Sequence, residues 1–345
     1  MSEVGTEPVL RLDALEAYLD GLGLGAGPIA AEEIGGGHSN ITLLLARGEE
    51  RLVLRRPPLG PLAPSANDVV REARLLRAVG AAELRVPEVR EICEDPEPIG
   101  APFYLMPFLP GHVLEARVPE EIGGTAAAAK ICEELVRALV ELHAIDPEAA
   151  GLSGFGRPSG YLERQLKRFG GLLEHNATRP LPELGRVGEW LGANRPESPP
   201  TTLVHGDYRL GNMMFAASEP RLTAILDWEM GTLGDPLADV GYMTATWAER
   251  DDPSDPMLDL SEVTRLPGFP TRAELARAYA EASGRSLEAI AWYQVLALWK
   301  AAIFLEGSYG RYRAGASADP YFARLELGVP ELGRRALRLT EGEGR

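Results

Sequence analysis

The sequence predicts an α+β protein in two unequal parts. The first is a small N-terminal part of antiparallel strands with one helix, and the second is a larger, mostly helical C-terminal part. Three observations carry that expectation. Before residue 108, short runs alternate apolar and polar side chains at the period of strands, with one amphipathic helical stretch among them. After it come long alanine- and leucine-rich stretches at helical spacing, one of them apolar nearly all round. Between these lies residues 203–241, LVHGDYRLGNMMFAASEPRLTAILDWEMGTLGDPLADVG, where polar residues frame two short strand-like runs. The division is placed between residues 1–108 and 109–345.

Taken in order, residues 10–22 set Leu12, Leu15, Tyr18 and Leu19 on one helical face, which Gly21, Gly23, Gly25 and Gly27 then end. IGGGHSN at residues 34–40 precedes a strand-like run. Its Gly36 and Gly37 let backbone amides approach an anion, and Ser39 and Asn40 add side-chain donors. Residues 51–55 form the next strand, whose alternation places Arg55 on the face of Val53, opposite Leu52 and Leu54. Ser65 or Asn67 is positioned to cap a helix running to Val79, and on its apolar stripe of Val69, Leu76 and Val79 stands Glu72. A carboxylate on a core-facing stripe requires a cation. Residues 86–92 and 103–106 supply the remaining strands, and MPFLPG at 106–111 joins the two parts.

In the C-terminal part, residues 125–144 predict a central helix with His143 as a packed residue. Residues 151–200 read as irregular, punctuated by Gly and Pro, with a helix over 161–173. Thr271 and Glu274 form a capping box opening a helix through Ala282. Residues 286–306 predict a buried helix, interrupted by Lys300, whose amine either snorkels to water or meets an anionic acceptor.

The chemistry concentrates in residues 203–241. Asp207 and Asn212 have four residues between them, the interval of a catalytic loop in which the Asp accepts a substrate hydroxyl proton and the Asn binds magnesium. After Asn212 an apolar run, a turn-like ASEP and a second apolar run end at Asp227, so a hairpin returns Asp227 towards Asn212. Magnesium held at nucleotide phosphates takes one or two protein oxygens, which makes Asn212 and Asp227 the metal candidates and Asp207 the base. His205 reads as a loop-bracing imidazole. Asp235 and Asp239 read as structural support, the first capping a helix and the second bonding back to the loop.

HGDYRLGN followed by ILDWE and GDPLADVGY resembles the aminoglycoside phosphotransferase and choline kinase superfamily, small-molecule kinases with a bilobal protein-kinase-like fold. More narrowly, LVLRRPP, PSANDVVREARLL and APFYLMPFLPG make it similar to the kinase-like domain found beside or fused to acyl-CoA dehydrogenases. The resemblance spans about residues 30 to 320. It implies ATP as phosphoryl donor, Mg2+ as cofactor and a small-molecule hydroxyl as acceptor. It further implies that Arg55, with Arg56 as fallback, stands where the superfamily uses a phosphate-binding lysine, that Glu72 orients it, and that Pro107 and Leu109 offer backbone groups to adenine. A hydroxyacyl-CoA is the implied acceptor, with Lys300, Arg311 and Arg313 available to its phosphates. The alternatives are an aminoglycoside or other amino-alcohol, drawn to Asp251, Asp252, Asp255 and Asp259, or a catalytically silent nucleotide-binding regulator of a separate acyl-CoA dehydrogenase.

Composition bounds these readings. A chain of 345 residues, 45% apolar and 25% charged, belongs among globular proteins. A net charge of -16 argues against a nucleic-acid partner. Cys93 and Cys132 lack a disulfide or metal spacing. With no signal-peptide pattern and no membrane-length apolar run, the expectation is a cytoplasmic protein without a membrane partner.

Overall fold

Residues 10–35, 40–59, 67–157, 159–315 and 319–342 are described by the structure, a computed structural model. Two units divide the chain, Met1–Pro110 and Gly111–Arg345. The first unit runs α1 (Leu12–Leu22), β1 (Ala30–Glu33), β2 (Ile41–Arg47), β3 (Glu50–Arg56), α2 (Val69–Ala81), β4 (Glu91–Cys93) and β5 (Phe103–Pro107). Its strands form one antiparallel sheet in the order β1-β2-β3-β5-β4.

Alternation decides what each face of this sheet does. Leu43 and Leu45 of β2 and Leu52 and Leu54 of β3 point to one side and pack with Leu15 and Leu19 of α1 and with Phe103 and Leu105 of β5. Arg56 has their parity and is buried, its guanidinium donating to the carbonyls of Pro57 and Ile99. Arg55 has the opposite parity and pairs across the sheet with Thr42. The expected strand over 86–92 is reduced to Glu91–Cys93. The helix bearing Glu72 is capped by Asp68, whose side chain accepts the Arg71 N–H at 2.9 Å. Asn67 instead adopts φ +56°, and Ser65 lies outside the described residues.

The second unit comprises β6 (His112–Val113), α3 (Ala128–Ala144), α4 (Tyr161–Asn176), α5 (Pro182–Ala193), β7 (Thr202–Val204), β8 (Met213–Phe215), β9 (Leu222–Ile225), β10 (Thr232–Gly234), α6 (Pro236–Ala245), α7 (Arg272–Ser283), α8 (Ile290–Arg313) and α9 (Leu325–Thr340). Helix α8 is the hub: Trp292, Leu296, Trp299 and Ile303 are buried, which is why its sequence is apolar on all sides. The expected capping box opens α7, with Thr271 and Glu274 bonding reciprocally. Helix α5 was not expected from the sequence. Its Gly188 sits where an added Cβ would come within 3.1 Å of the Trp299 ring, so a residue that reads as a helix breaker serves close packing. Together these helices carry a three-stranded β6-β8-β9 sheet and a β10-β7 pair, whose connecting segments bear the polar motif residues.

Candidate active site

Strands β8 and β9 form an antiparallel hairpin with Met213 opposite Ile225. Its open end is tied by the Leu226 N–H, which donates to the Asn212 carbonyl at 2.8 Å. This places Asp227, the next residue, beside the Asn212 end of the hairpin. Asp227 takes φ +62°, a left-handed conformation that Asp tolerates better than most side chains.

Asn212 is buried and spends its amide group on one neighbour. Nδ2 donates to the Asp207 carbonyl oxygen and to Asp207 Oδ2, each at 2.8 Å. With both amide protons so directed, the Asn212 side-chain oxygen faces the other way. Asp207 is thereby fixed by one carboxylate oxygen. Its Oδ1 is the one buried side-chain polar atom among the described residues that lacks a hydrogen-bond partner, and the nearest cation, Arg209 Nε, stands 3.8 Å away. A buried carboxylate oxygen left unsatisfied is costly, and such an atom marks a position that receives a proton or a ligand. Sequence reasoning did not single out Arg209 or Tyr242. Arg209 lies inside the motif, where its charge was the available signal. The Tyr242 hydroxyl is pushed well above the ordinary tyrosine value by burial and by the neighbouring Asp207 charge, and no local pattern announces that proximity.

Behind this loop sits a buried carboxylate. Asp239, on α6 and wholly buried, accepts the backbone N–H of His205 at 2.7 Å and of Gly206 at 2.8 Å. It also faces His143 Nε2 at 3.2 Å, while His143 Nδ1 meets the Tyr279 hydroxyl at 2.7 Å. Burial pushes the Asp239 carboxyl up, but the hydrogen bond and charge of His143 and the contact with the His205 backbone outweigh it and hold it below the ordinary range. Burial holds His143 below its own ordinary value. His205 has its Nε2 2.8 Å from the Leu226 carbonyl, and its Nδ1 accepts the Asp207 N–H at 3.2 Å. The carbonyl demands a proton on Nε2 and the amide demands a lone pair on Nδ1, so the ring is the neutral Nε2–H tautomer and braces the loop. Gly206 takes φ +85°, and a Cβ there would approach the Met230 carbonyl to 2.8 Å, so the turn into Asp207 needs glycine. Asp235 caps α6 through the Leu237 N–H and accepts the Tyr293 hydroxyl.

In the N-terminal unit, Arg55 Nε meets both Glu72 carboxylate oxygens at 3.1 Å, and Nη1 reaches the Thr42 hydroxyl at 3.2 Å. Glu72 is buried, with its side chain 2% exposed against 14% for Arg55, so the carboxylate on the apolar stripe has the cation that burial demands. Asn40 is buried and turned inward: its amide donates towards Glu72 at 3.5 Å and its oxygen accepts from Asn67 at 3.1 Å. Its side chain thus contacts both Glu72 and Asn67. Gly36, Gly37 and Ser39 lie outside the described residues. Pro107 closes β5 and Leu109 follows it. Between them the Phe108 N–H is engaged by the Arg51 carbonyl at 3.0 Å.

The acidic residues offered for a cationic acceptor are largely neutralised within the unit: Asp252 pairs with Arg272, Asp255 with Arg335 and Asp259 with Arg324. Among the described residues no cluster of three or more His, Cys, Asp or Glu forms a metal cage, and no helix is long and apolar enough to cross a membrane. A magnesium ion shared with phosphate needs fewer protein ligands than such a cage, and all-oxygen ligands suit it. The Asn212 oxygen and the Asp227 carboxylate are such a set.

A small antiparallel sheet with two helices, a helical unit, and a loop–hairpin carrying Asp207, Asn212 and Asp227 together define a kinase-like phosphotransferase fold. The chain belongs to the phosphotransferase enzyme family, APH, whose family model matches residues 30–296. Among curated relatives, "Acyl-CoA dehydrogenase family member 10" of Mus musculus is 35% identical over 312 residues, covering 89% of this chain. The chain spans 29% of that relative's length. Among solved structures, a "putative aminoglycoside phosphotransferase" from Ralstonia eutropha superposes with a TM-score of 0.80 at 27% identity, covering 97% of this chain and all of the other. A thermostable mutant of aminoglycoside phosphotransferase APH(4)-Ia, in ternary complex with AMP-PNP and hygromycin B, gives a TM-score of 0.61 at 15% identity. It covers 96% of this chain and all of that one, and shares the fold.

Proposed function

We propose that this chain transfers the γ-phosphoryl group of ATP to a hydroxyl of a small molecule, with Asp207 as the base. The observation that carries the reading is the Asp207 carboxylate, pinned at Oδ2 by Asn212 and unsatisfied at Oδ1 on a loop locked by Asp239. In this step the acceptor hydroxyl gives its proton to Asp207, its oxygen bonds to the γ-phosphorus, and the bond to the β-phosphate oxygen breaks to release ADP. Asn212 and Asp227 would hold Mg2+, which supplies charge neutralisation at the phosphates when bound. The neutral His205 and the buried Asp239 keep the Asp207 backbone in place without contributing a proton. In the N-terminal unit, Arg55 is assigned to nucleotide phosphate, and Glu72, with Asn40 behind it, orients Arg55. Gly36, Gly37 and Ser39 are assigned to phosphate amides and hydroxyl, and Pro107 and Leu109 to adenine. Arginine clamps phosphate through a planar fork where lysine would act as a point charge.

For the acceptor we favour a hydroxyacyl-CoA over an aminoglycoside or other amino-alcohol. The relatives' names and the internal pairing of Asp252, Asp255 and Asp259 support this choice. On this reading the protein works in the cytoplasm with an acyl-CoA dehydrogenase as its partner. A second reading, a silent nucleotide-binding regulator of that dehydrogenase, draws on Arg55 standing in for lysine and being held by Glu72 and Thr42. Magnesium-dependent nucleotide binding measured with ADP release over a panel of alcohols separates the two. Turnover on any alcohol supports the enzyme, and binding without turnover on all of them supports the regulator.

A further inference from the structure

Behind the catalytic loop the C-terminal unit holds a cavity of about 500 Å³. Pro236 and Leu237 from the first turn of α6, Ala289 and Tyr293 from the start of α8, and Pro196 and Pro199 ahead of β7 form its walls. That volume and those mostly apolar walls are the properties of small-molecule sites. The cavity is separate from the position assigned to the acceptor hydroxyl. Strand β7 pairs with β10 so that Thr202 lies opposite Gly234 and Val204 opposite Thr232. From the Val204 end the chain continues to His205, Gly206 and Asp207, whereas Pro199 leads into the Thr202 end and Pro236 follows Gly234. The cavity therefore sits at one end of the strand pair and the base at the other.

Among the described residues one cation lines the cavity, Arg285. Its Nη2 donates to the His143 carbonyl at 3.3 Å, the one hydrogen bond its guanidinium makes among those residues. No carboxylate among them lies within 4.0 Å of it. Most of the five N–H donors of this half-buried fork are thus unspent. Elsewhere in the unit, partly buried guanidinium groups are answered: Arg179 by Glu306 and Arg335 by Asp255. Glu197 and Glu288 also line the cavity, but both are exposed, where water screens a charge more than it does at Arg285. A planar fork with spare donors matches a carboxylate through two parallel hydrogen bonds. The Tyr293 hydroxyl is spent on Asp235, so that wall offers a ligand its apolar ring.

We propose that this cavity is a second ligand site, binding a small carboxylic acid with its carboxylate on Arg285 and its apolar body against the proline-lined wall, and that occupancy steadies the catalytic loop. The link is short. The first turn of α6 is itself a wall, and Asp239, two residues beyond Leu237, accepts the His205 N–H at 2.7 Å and the Gly206 N–H at 2.8 Å. His143, whose carbonyl holds Arg285, faces the same Asp239 at 3.2 Å through its ring. A ligand that needs Arg285 and that turn in place stabilises the arrangement it binds. The site stands whether or not the loop transfers phosphoryl groups.

Probes matched in body and differing in charge test it by calorimetry on the full chain: benzoate and hexanoate, their amides, and the amines benzylamine and hexylamine. At least one acid is expected to bind the wild type, with its amide about tenfold or more weaker and its amine weaker still. Arg285→Met should weaken the acid about tenfold or more and leave the amide nearly unchanged. Arg285→Lys, which keeps the charge but not the fork, should fall between. Ala289→Phe fills the cavity without touching the charge and should remove binding of acid and amide alike, which keeps the test decisive if Arg285→Met does not fold. In hydrogen exchange, the bound acid should slow the His205 and Gly206 amides several-fold in the wild type and have no effect in Ala289→Phe. Failure of both acids to bind, an amine binding as tightly as its acid, or acid binding that survives both Arg285→Met and Ala289→Phe overturns the site. Bound acid with unchanged exchange at those amides overturns the link to the loop.

Discussion

The loop at Asp207 and the pair at Arg55 hold their charged groups in contrasting ways. Asp207 is positioned by main-chain anchors and neutral amides: Asp239 grips the N–H groups of His205 and Gly206, His205 bridges to Leu226, and Asn212 holds Oδ2. Arg55 is met by side chains, a carboxylate on a helix and a hydroxyl on the neighbouring strand. Main-chain anchors fix a group without asking long side chains to give up rotamers, whereas an ion pair between Arg and Glu must offset that entropy. The first arrangement suits a base that must meet a hydroxyl within hydrogen-bond reach. The second suits a cation that follows a flexible polyphosphate.

That contrast can be broken most directly at the base. Asp207→Ala is expected to lower kcat by about 10²–10⁴, with nucleotide affinity measured by calorimetry left nearly intact. Near-normal turnover would remove Asp207 from the mechanism. Next in size is the anchor itself. Asp239→Ala leaves two buried backbone N–H groups and His143 without their acceptor, and should cost about 3 kcal/mol or more of stability in urea unfolding. A loss below about 1 kcal/mol would mean the loop is held by other means. The metal assignment comes third. Asp227→Ala should weaken magnesium-ATP affinity at least on the order of tenfold, and Asn212→Ala less, because a neutral amide is a poorer magnesium ligand than a carboxylate. Unchanged affinity in Asp227→Ala would exclude it as a ligand.

Legibility in the sequence divides along the same line. The spacing of Asp207, Asn212 and Asp227 was readable because a short loop and a hairpin are local structures, fixed by turn residues and alternation within 21 positions. Glu72 was readable as a buried carboxylate because its helical stripe is local, and Arg55 as its partner because parity on β3 puts it on the face opposite Leu52, Leu54 and Arg56. What escaped depends on contacts distant in sequence. The contacts of Asn40 with Glu72 and Asn67, 32 and 27 residues away, carry no local signal. Tyr242 beside Asp207, and Gly188 against Trp299, likewise have no signal in their own neighbourhoods. Helix α5 was hidden because Gly185, Gly188 and Gly192 outweighed the stripe of Leu184, Val187 and Leu191 that it buries.

The smallest effect separates the two arrangements most finely. Glu72→Gln removes the charge that orients Arg55 but leaves the Thr42 hydroxyl at 3.2 Å, so Arg55 is loosened rather than lost and turnover should fall several-fold, roughly 1 kcal/mol. Arg55→Met removes the cation itself from beside the buried Glu72. If the carboxylate acts only through the arginine, the double variant should turn over about as slowly as Arg55→Met alone, and the stability loss of the pair should be less than the sum of the two single losses by about 0.5–3 kcal/mol. Asp207 and Asp239 offer the matching cycle. There the anchor works on the backbone, so Asp239→Ala should add its stability loss to that of Asp207→Ala almost in full. Additive turnover losses at Arg55 and Glu72 would show that the ion pair is packing and not positioning, and the contrast between the two regions would then rest on stability alone.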